Sequence, residues 1–237
     1  MNFKEEGQDK WNKAYSRGGN IVFYPHEEII RFVNKYIRKR LGVNEFKNIM
    51  KLSDNEWNNF TSLDLGCGIG RHIIFLEEFG LNPSGIDLSD KAISEGKHWF
   101  NTINKGYLAD KITVGSVAEL PYDNESFNIC ISHGVLDSMP RDIAKRGISE
   151  VYRVLKKRGI MYLDLIMNTE IGNNDVEVQS GYEKGTIQSY FTVDSIKEFI
   201  GDKVEIIEFK IISRGDENGI VHNKRAHLVI QKIKHEI

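Results

Sequence analysis

At 237 residues the chain can bury one sizeable core and is too short for two full α/β domains with a linker. Its 32 Lys and Arg nearly balance 34 Asp and Glu, for a net charge of −2, so no whole-chain field draws it to nucleic acid or an anionic membrane, and small or neutral partners fit better. Cys67 and Cys130 are too few for a disulfide framework, no window approaches the ~20 apolar residues of a membrane span, and the opening Met1-Asn-Phe-Lys-Glu-Glu lacks the charged-then-apolar order of a signal peptide; the expected setting is reducing and cytoplasmic.

Trp11 and Tyr15, four apart, share one face of an expected N-terminal helix. Pro25, Glu27 and Glu28 open a second helix, because proline tolerates the first turn and acids suit the positive end of the dipole. Its apolar face is expected to carry Ile29, Ile30, Val33, Tyr36, Ile37 and Leu41, and its other face Arg31, Lys35, Arg38 and Lys39, read as solvated. Residues 44–60 are Asn-rich and weakly periodic, a link with room for a short helix. The chain thus divides into a helical extension, residues 1–60, and a single core domain, residues 61–237.

From residue 61 strand and helix patterns alternate, which implies parallel strands joined by crossover helices. Strands are expected at 61–65, 83–87, 111–115, 127–132 and 159–166, and helices at 69–79, 90–104, 141–156 and 193–200. Ser89 and Thr192 read as N-caps, Gly80 and Gly201 as C-caps. Two β-rich runs, Val204 to Ile212 and Ala226 to Ile233, are joined by the turn-rich Ser213–Gly219 and a few further residues, which favours antiparallel pairing.

The stretch Leu63-Asp-Leu-Gly-Cys-Gly-Ile-Gly-Arg-His72 couples an acidic strand end to three glycines spaced two apart, with Ile73, Ile74, Leu76 and Phe79 continuing at helical spacing. A dinucleotide fingerprint needs its third glycine at the position of Arg71, so the spacing is G-x-G-x-G instead. On the loop alone a structural turn and a dinucleotide site stay open. The pattern resembles the first motif of the class I S-adenosylmethionine (SAM) methyltransferases, in which the acid and the loop backbone hold the methionyl end of the cofactor.

Asp87 ends the next strand 21 positions after Gly66, near the ~20 expected of a ribose-binding carboxylate. Ser116-Val-Ala-Glu-Leu-Pro-Tyr122, followed by Ser126-Phe-Asn128, resembles the family's acid-x-x-x-Leu-Pro-Phe segment and its strand entry. The family often has an acid where Ser116 stands; a hydroxyl still accepts one bond from the adenine amine, with Val117 and Ala118 as backbone contacts. Glu150 to Gly159 is similar to the family's helix ending in Leu-Lys-Pro-Gly-Gly, with Arg158 near the usual proline.

What the resemblance implies is a three-layer α/β sandwich with a seven-stranded, mostly parallel sheet whose last strand is antiparallel. It also implies an enzyme that moves a methyl group from SAM to O, N or C of a small molecule, leaving S-adenosylhomocysteine (SAH). The cofactor set it implies is Tyr15, Asp64, Gly66, Cys67, Gly68, Gly70, Arg71, Asp87, Leu88, Ser116, Val117, Ala118, Ser132 and His133. His133, after the fourth strand, is also the candidate base, because an ordinary imidazole titrates at ~6.5; the alternative is a histidine that packs on the cofactor or lends only its backbone.

Trp11 with Tyr15 resembles the aromatic pair that covers the cofactor in small-molecule methyltransferases, with core packing as the alternative. Tyr24, His26, Tyr190 and Phe191 complete the expected acceptor pocket, and the polar connection 168–191 is expected to be an acceptor-side lid or hairpin. The Asp/Asn-Pro-Pro-aromatic motif of nucleic-acid amino-methyltransferases is missing after the fourth strand, and no metal is expected. Two other functions compete: transfer of a different SAM-derived group, and a SAM-binding subunit without catalysis.

Overall fold

The computed structural model describes residues 3–168, 170–218 and 220–233; Thr169 of the long connection and Gly219 of the C-terminal turn lie outside the described residues. The extension begins with α1 (Phe3–Ser16) and α2 (Glu27–Phe32), and a π-helical turn, Val33–Ile37, continues α2. The chain then pairs β1 (Arg38–Arg40) antiparallel with β2 (Phe46–Asn48) and makes one short helix, α3 (Asp54–Asn58), inside the expected link. The second helix is therefore shorter than its apolar pattern suggests. The Ile37 carbonyl accepts from the N–H groups of Ile49 and Met50, so tertiary pairing replaces the helical ladder. Ile29, Val33 and Ile37 are fully buried, whereas Ile30 and Leu41 are exposed. The basic face is not simply solvated either: Arg31 and Lys35 both bind Glu208, which docks this helix on the sheet.

The core follows in order: β3 (Ser62–Leu65), α4 (Arg71–Glu78), β4 (Pro83–Asp87), α5 (Asp90–Thr102), β5 (Ile112–Val114), β6 (Phe127–Ser132), α6 (Arg141–Val154) and β7 (Leu155–Ile166). A small antiparallel hairpin of β8 (Asp175–Glu177) and β9 (Ile187–Ser189) precedes α7 (Val193–Ile200), β10 (Val204–Gly215) and β11 (Val221–Lys232). The large sheet has the order β10-β11-β7-β6-β3-β4-β5; β3 to β7 are parallel and β11 is antiparallel to both its neighbours. This is the seven-stranded, mostly parallel sheet that the sequence pattern predicts.

Alternation along the strands separates the layers, since successive side chains of a strand leave opposite faces. Leu63, Leu65, Cys130, Met161, Leu163 and Leu228 join one core with α6 and α7. Ile129, Ile131, Ile160, Tyr162 and Val229 pack on the other face, against α2 and α4. The helix α6 ends two residues, and the strand β7 begins four residues, before their expected positions, because Leu155 leaves the helix to pair with Phe127 and bury its side chain. Arg158 has a φ of 63°, which proline's ring, held near −65°, does not allow.

Chain direction across the sheet reverses between β3 and β6: β4 and β5 lie on one side of β3, β6 and β7 on the other. In an open parallel sheet such a switch point leaves a crevice at the C-terminal strand ends, where loops diverge.

Candidate active site

A cavity of about 530 Å³ opens at that crevice. Its floor is the loop after β3. Gly66, Gly68 and Gly70 all have positive φ, yet their surroundings differ. A Cβ on Gly66 would stand 2.5 Å from the Val135 side chain, and one on Gly68 2.6 Å from the Tyr15 hydroxyl, so these two glycines let the loop after β6 and helix α1 close on the turn. Gly70 faces Phe100 instead, at 2.4 Å, and packs against core.

Asp87, at the end of β4, is 8% exposed and lines the cavity. Its Oδ2 accepts from the Gly68 N–H and its Oδ1 from the Ser89 N–H, each at 2.8 Å. Burial pushes this carboxyl up to about 6, against the pull of those two amides. Asp64 is 1% exposed on β3 and does not line the cavity; its Oδ1 lies 3.5 Å from His72 Nδ1, and its Oδ2 has no partner among the described residues. Ser132 is likewise fully buried with an unpartnered hydroxyl.

Across the crevice, Leu88, Ser116, Val117 and Ala118 line one wall, and the Ser116 hydroxyl accepts from the Ala118 N–H at 3.2 Å. His133, Gly134 and Val135 line another. Here a buried polar network underlies the loop. Asp164 accepts from the Gly134 N–H at 2.8 Å, Asp137 accepts from the Ile166 N–H at 2.7 Å, and the Arg225 guanidinium donates to both carboxylates, at 2.6 and 2.5 Å. Burial would raise Asp164, but Arg225 and His133 outweigh it and hold this carboxyl below the usual range, while burial leaves Asp137 above it. One cation between two buried acids has that consequence.

His133 sits against this network. Arg71 Nη2 lies 3.4 Å from its Nδ1, and a guanidinium only donates, so Nδ1 carries the lone pair and Nε2 the proton. Nε2 is 3.9 Å from Asp164 Oδ2, and the His26 ring tilts over the His133 ring at 4.0 Å. Burial drives His133 down to about 3, with His26, His72 and Arg71 adding to the fall and Asp164 opposing it. The ring is neutral near pH 7, but it is a far weaker base than an ordinary imidazole, which favours positioning over proton transfer.

Trp11 and Tyr15 of α1 both line the cavity, together with Glu6, Gly7 and Lys10 of the same helix. The 168–191 connection forms the β8–β9 hairpin, whose Glu183, Thr186 and Ile187 face the same space, and Arg17 at the end of α1 donates to the carbonyls of Tyr182 and Lys184 at 3.0 Å each. Of the expected acceptor residues, Tyr24 is 81% exposed and His26 is stacked on His133. Phe191 is fully buried in the core with Phe199, and Tyr190 is tied by backbone bonds to Asn174 and Arg141. None of these four lines the cavity. Sequence reasoning missed Ser138, Met139, Pro140, Ile143 and Arg146, which do. The strand-then-loop pattern could have suggested the first two; nothing local signals that α6 turns Ile143 and Arg146 this way.

Residues 63–163 match the family model described as "Methyltransferase domain". An arsenite methyltransferase of Halobacterium salinarum is 27% identical over 146 residues, which cover 60% of this chain and 36% of that protein. The chain spans about half or less of the curated relatives it matches. Among solved structures, a SAM-dependent methyltransferase of Methanosarcina mazei superposes with a TM-score of 0.63 at 20% identity, over 78% of this chain and all of that one. The [4+2]-cyclase SpnF superposes with a TM-score of 0.62 at 14% identity, over 98% of this chain and 97% of its own. At such identities these likenesses establish the fold; the cyclase is a reminder that reactions differ on it.

Proposed function

We propose that the protein is a class I SAM-dependent methyltransferase that transfers a methyl group from SAM to O, N or C of a small-molecule acceptor, with the extension 1–60 covering the site; the match of residues 63–163 to the methyltransferase domain supports this reading. The observation that carries this reading is the convergence on one cavity of the Gly66–Gly68 turn, Asp87 and the Ser116–Ala118 wall, three segments far apart in sequence.

The residues present fit SAM. Asp87 offers a buried carboxylate to a ribose diol, and its acceptance from Gly68 ties that acid to the glycine turn. Leu88 and Val117 provide apolar surface for a purine, beside the Ser116 hydroxyl. Asp64, the acid of the family motif, lies buried beneath the turn and outside the cavity lining, with Oδ2 unpartnered among the described residues. When bound, the cofactor supplies an electrophilic methyl carbon on a sulfonium. The chain's own contribution is to hold an acceptor in line with that carbon and to exclude water. Trp11, Tyr15 and the β8–β9 hairpin roof the cavity for this purpose, and His133, neutral and fixed as one tautomer, positions groups rather than removing a proton.

Calorimetry with SAM and SAH tests the reading, and failure of both to bind at millimolar concentration overturns it. Product mass after an acceptor screen then separates methyl transfer from transfer of another SAM-derived group. Binding without turnover until a second protein is added would instead mark a SAM-binding subunit.

A further inference from the structure

We infer that the acceptor half of the cavity binds an organic amine in its ammonium form, held by Glu183, Thr186 and Ser138; this names a substrate class and rests on the methyltransferase reading. The inference follows from what the polar atoms of that half have left to offer. The Thr186 hydroxyl, on a residue only 3% exposed, donates to the Glu183 carbonyl at 2.8 Å, and the Ser138 hydroxyl donates to the Gly134 carbonyl at 3.0 Å. A hydroxyl has one proton, so both have only lone pairs left for a ligand. Glu183 is half-buried on the cavity wall, and among the described residues its carboxylate has no hydrogen bond and no ion pair. Asn20 lines the cavity too, but its Nδ2 is buried and adds no donor to the surface. Three side chains of this half therefore accept hydrogen bonds and donate none.

The fold brings these groups to one place. Ser189 Oγ donates to the Met139 carbonyl at 2.6 Å, which holds the β9 side of the hairpin, entered through Thr186, beside the loop that carries Ser138. Arg17 reaches the same hairpin tip, yet its guanidinium donates to the carbonyls of Tyr182 and Lys184 and not to the Glu183 carboxylate. Of the other cations on the wall, Lys10 is paired with Glu6 at 3.0 Å, and Arg146 is exposed on α6. Trp11 adds an aromatic face, which attracts a cation. An alcohol could use the lone pairs but would leave the carboxylate charge unmatched, and an anion would meet it with like charge. An ammonium group supplies both N–H donors and the opposite charge.

Calorimetry on the SAH-loaded protein tests this with two matched sets of probes: 2-phenylethylamine, 2-phenylethanol and 3-phenylpropionate, and hexylamine, 1-hexanol and hexanoate. Alkylamines of this kind are ammonium ions near pH 7. The wild-type protein should bind an amine at least about tenfold more tightly than its alcohol, and the carboxylate most weakly. Glu183→Gln should remove that preference and Glu183→Asp should keep part of it, with SAH affinity unchanged in both. Thr186→Val, checked for folding by near-UV circular dichroism, should weaken the amine by about threefold or more. Equal affinity for amine and alcohol overturns the inference, as do a preference for the carboxylate, an amine preference that survives Glu183→Gln, and no amine binding from either set at millimolar concentration. Wild-type protein that binds neither SAM nor SAH refutes the methyltransferase reading instead, and the same probes on the free protein then decide whether the cavity takes amines.

Discussion

The two halves of the cavity are built differently. The half proposed for the cofactor is made of short loops at consecutive strand ends, Gly66–Arg71, Asp87–Leu88 and Ser116–Ala118, braced by backbone bonds to the sheet such as that from the Cys67 N–H to the Ile86 carbonyl, 3.0 Å. The other half is assembled from α1, the start of α6 and the β8–β9 hairpin, which meet through side chains and a few carbonyls. The first half is held by the fold itself; the second is held by contacts that can be changed one at a time, as expected where acceptor specificity varies on a constant scaffold.

The largest expected effect tests whether the loop between the halves, 133–139, depends on the buried acids beneath it. Arg225→Met leaves Asp137 and Asp164 without their shared cation and should destabilise the protein by about 3–5 kcal/mol in urea unfolding. A loss below about 1 kcal/mol would show that the loop stands without that network.

Next in size is Asp87→Asn, which should weaken SAH about 100-fold by calorimetry, as expected on losing charge-assisted bonds to two hydroxyls. The wild-type pH dependence has a definite sign. Because burial raises the folded Asp87 to about 6, above its unfolded value, this group's contribution to stability is fully present at low pH and is lost as pH rises through about 6. Cofactor affinity runs the opposite way and should fall as pH drops below about 6, and Asp87→Asn should abolish both trends.

A smaller effect is expected in the second half. Arg17→Ala removes the two bonds that tie α1 to the hairpin tip, and should speed proteolysis between 178 and 186 while changing unfolding stability by about 1 kcal/mol or less. Unchanged cutting would mean that the hairpin is held from its base alone, where the Ser189 N–H donates to the Asp137 carbonyl at 2.7 Å. The smallest effect is an absence of change: with His133 held down to about 3 by burial, its ring carbons in an NMR titration should not move between about pH 8 and 5. A midpoint near 6.5 would return His133 to the role of base that its ordinary imidazole value suggests.

The legibility of these halves follows their construction. Asp64 to Gly70, Asp87 at its spacing and the Leu120-Pro121 segment are local patterns, so both the strand-loop-helix unit and the sheet could be read from residues close together in the chain. Local patterns failed where a distant partner decided the outcome. Leu41 looked like the end of a helix, but the β1–β2 hairpin takes the chain away before it; Phe191 looked like a pocket aromatic, but the core against Phe199 holds it. Arg225, on a strand 61 residues beyond Asp164, carried no motif at all.

By itself the sequence determined the parallel sheet with its antiparallel close, the glycine turn and the acid that follows it, because period-2 and helical spacing, caps and glycine φ are properties of neighbouring residues. Only the tertiary structure decided that Gly70 serves the core and Gly66 the cavity, that His133 is neutral and fixed in orientation, and that Arg225 is shared by two buried acids. Burial and electrostatics are sums over groups that the fold, not the chain order, brings together.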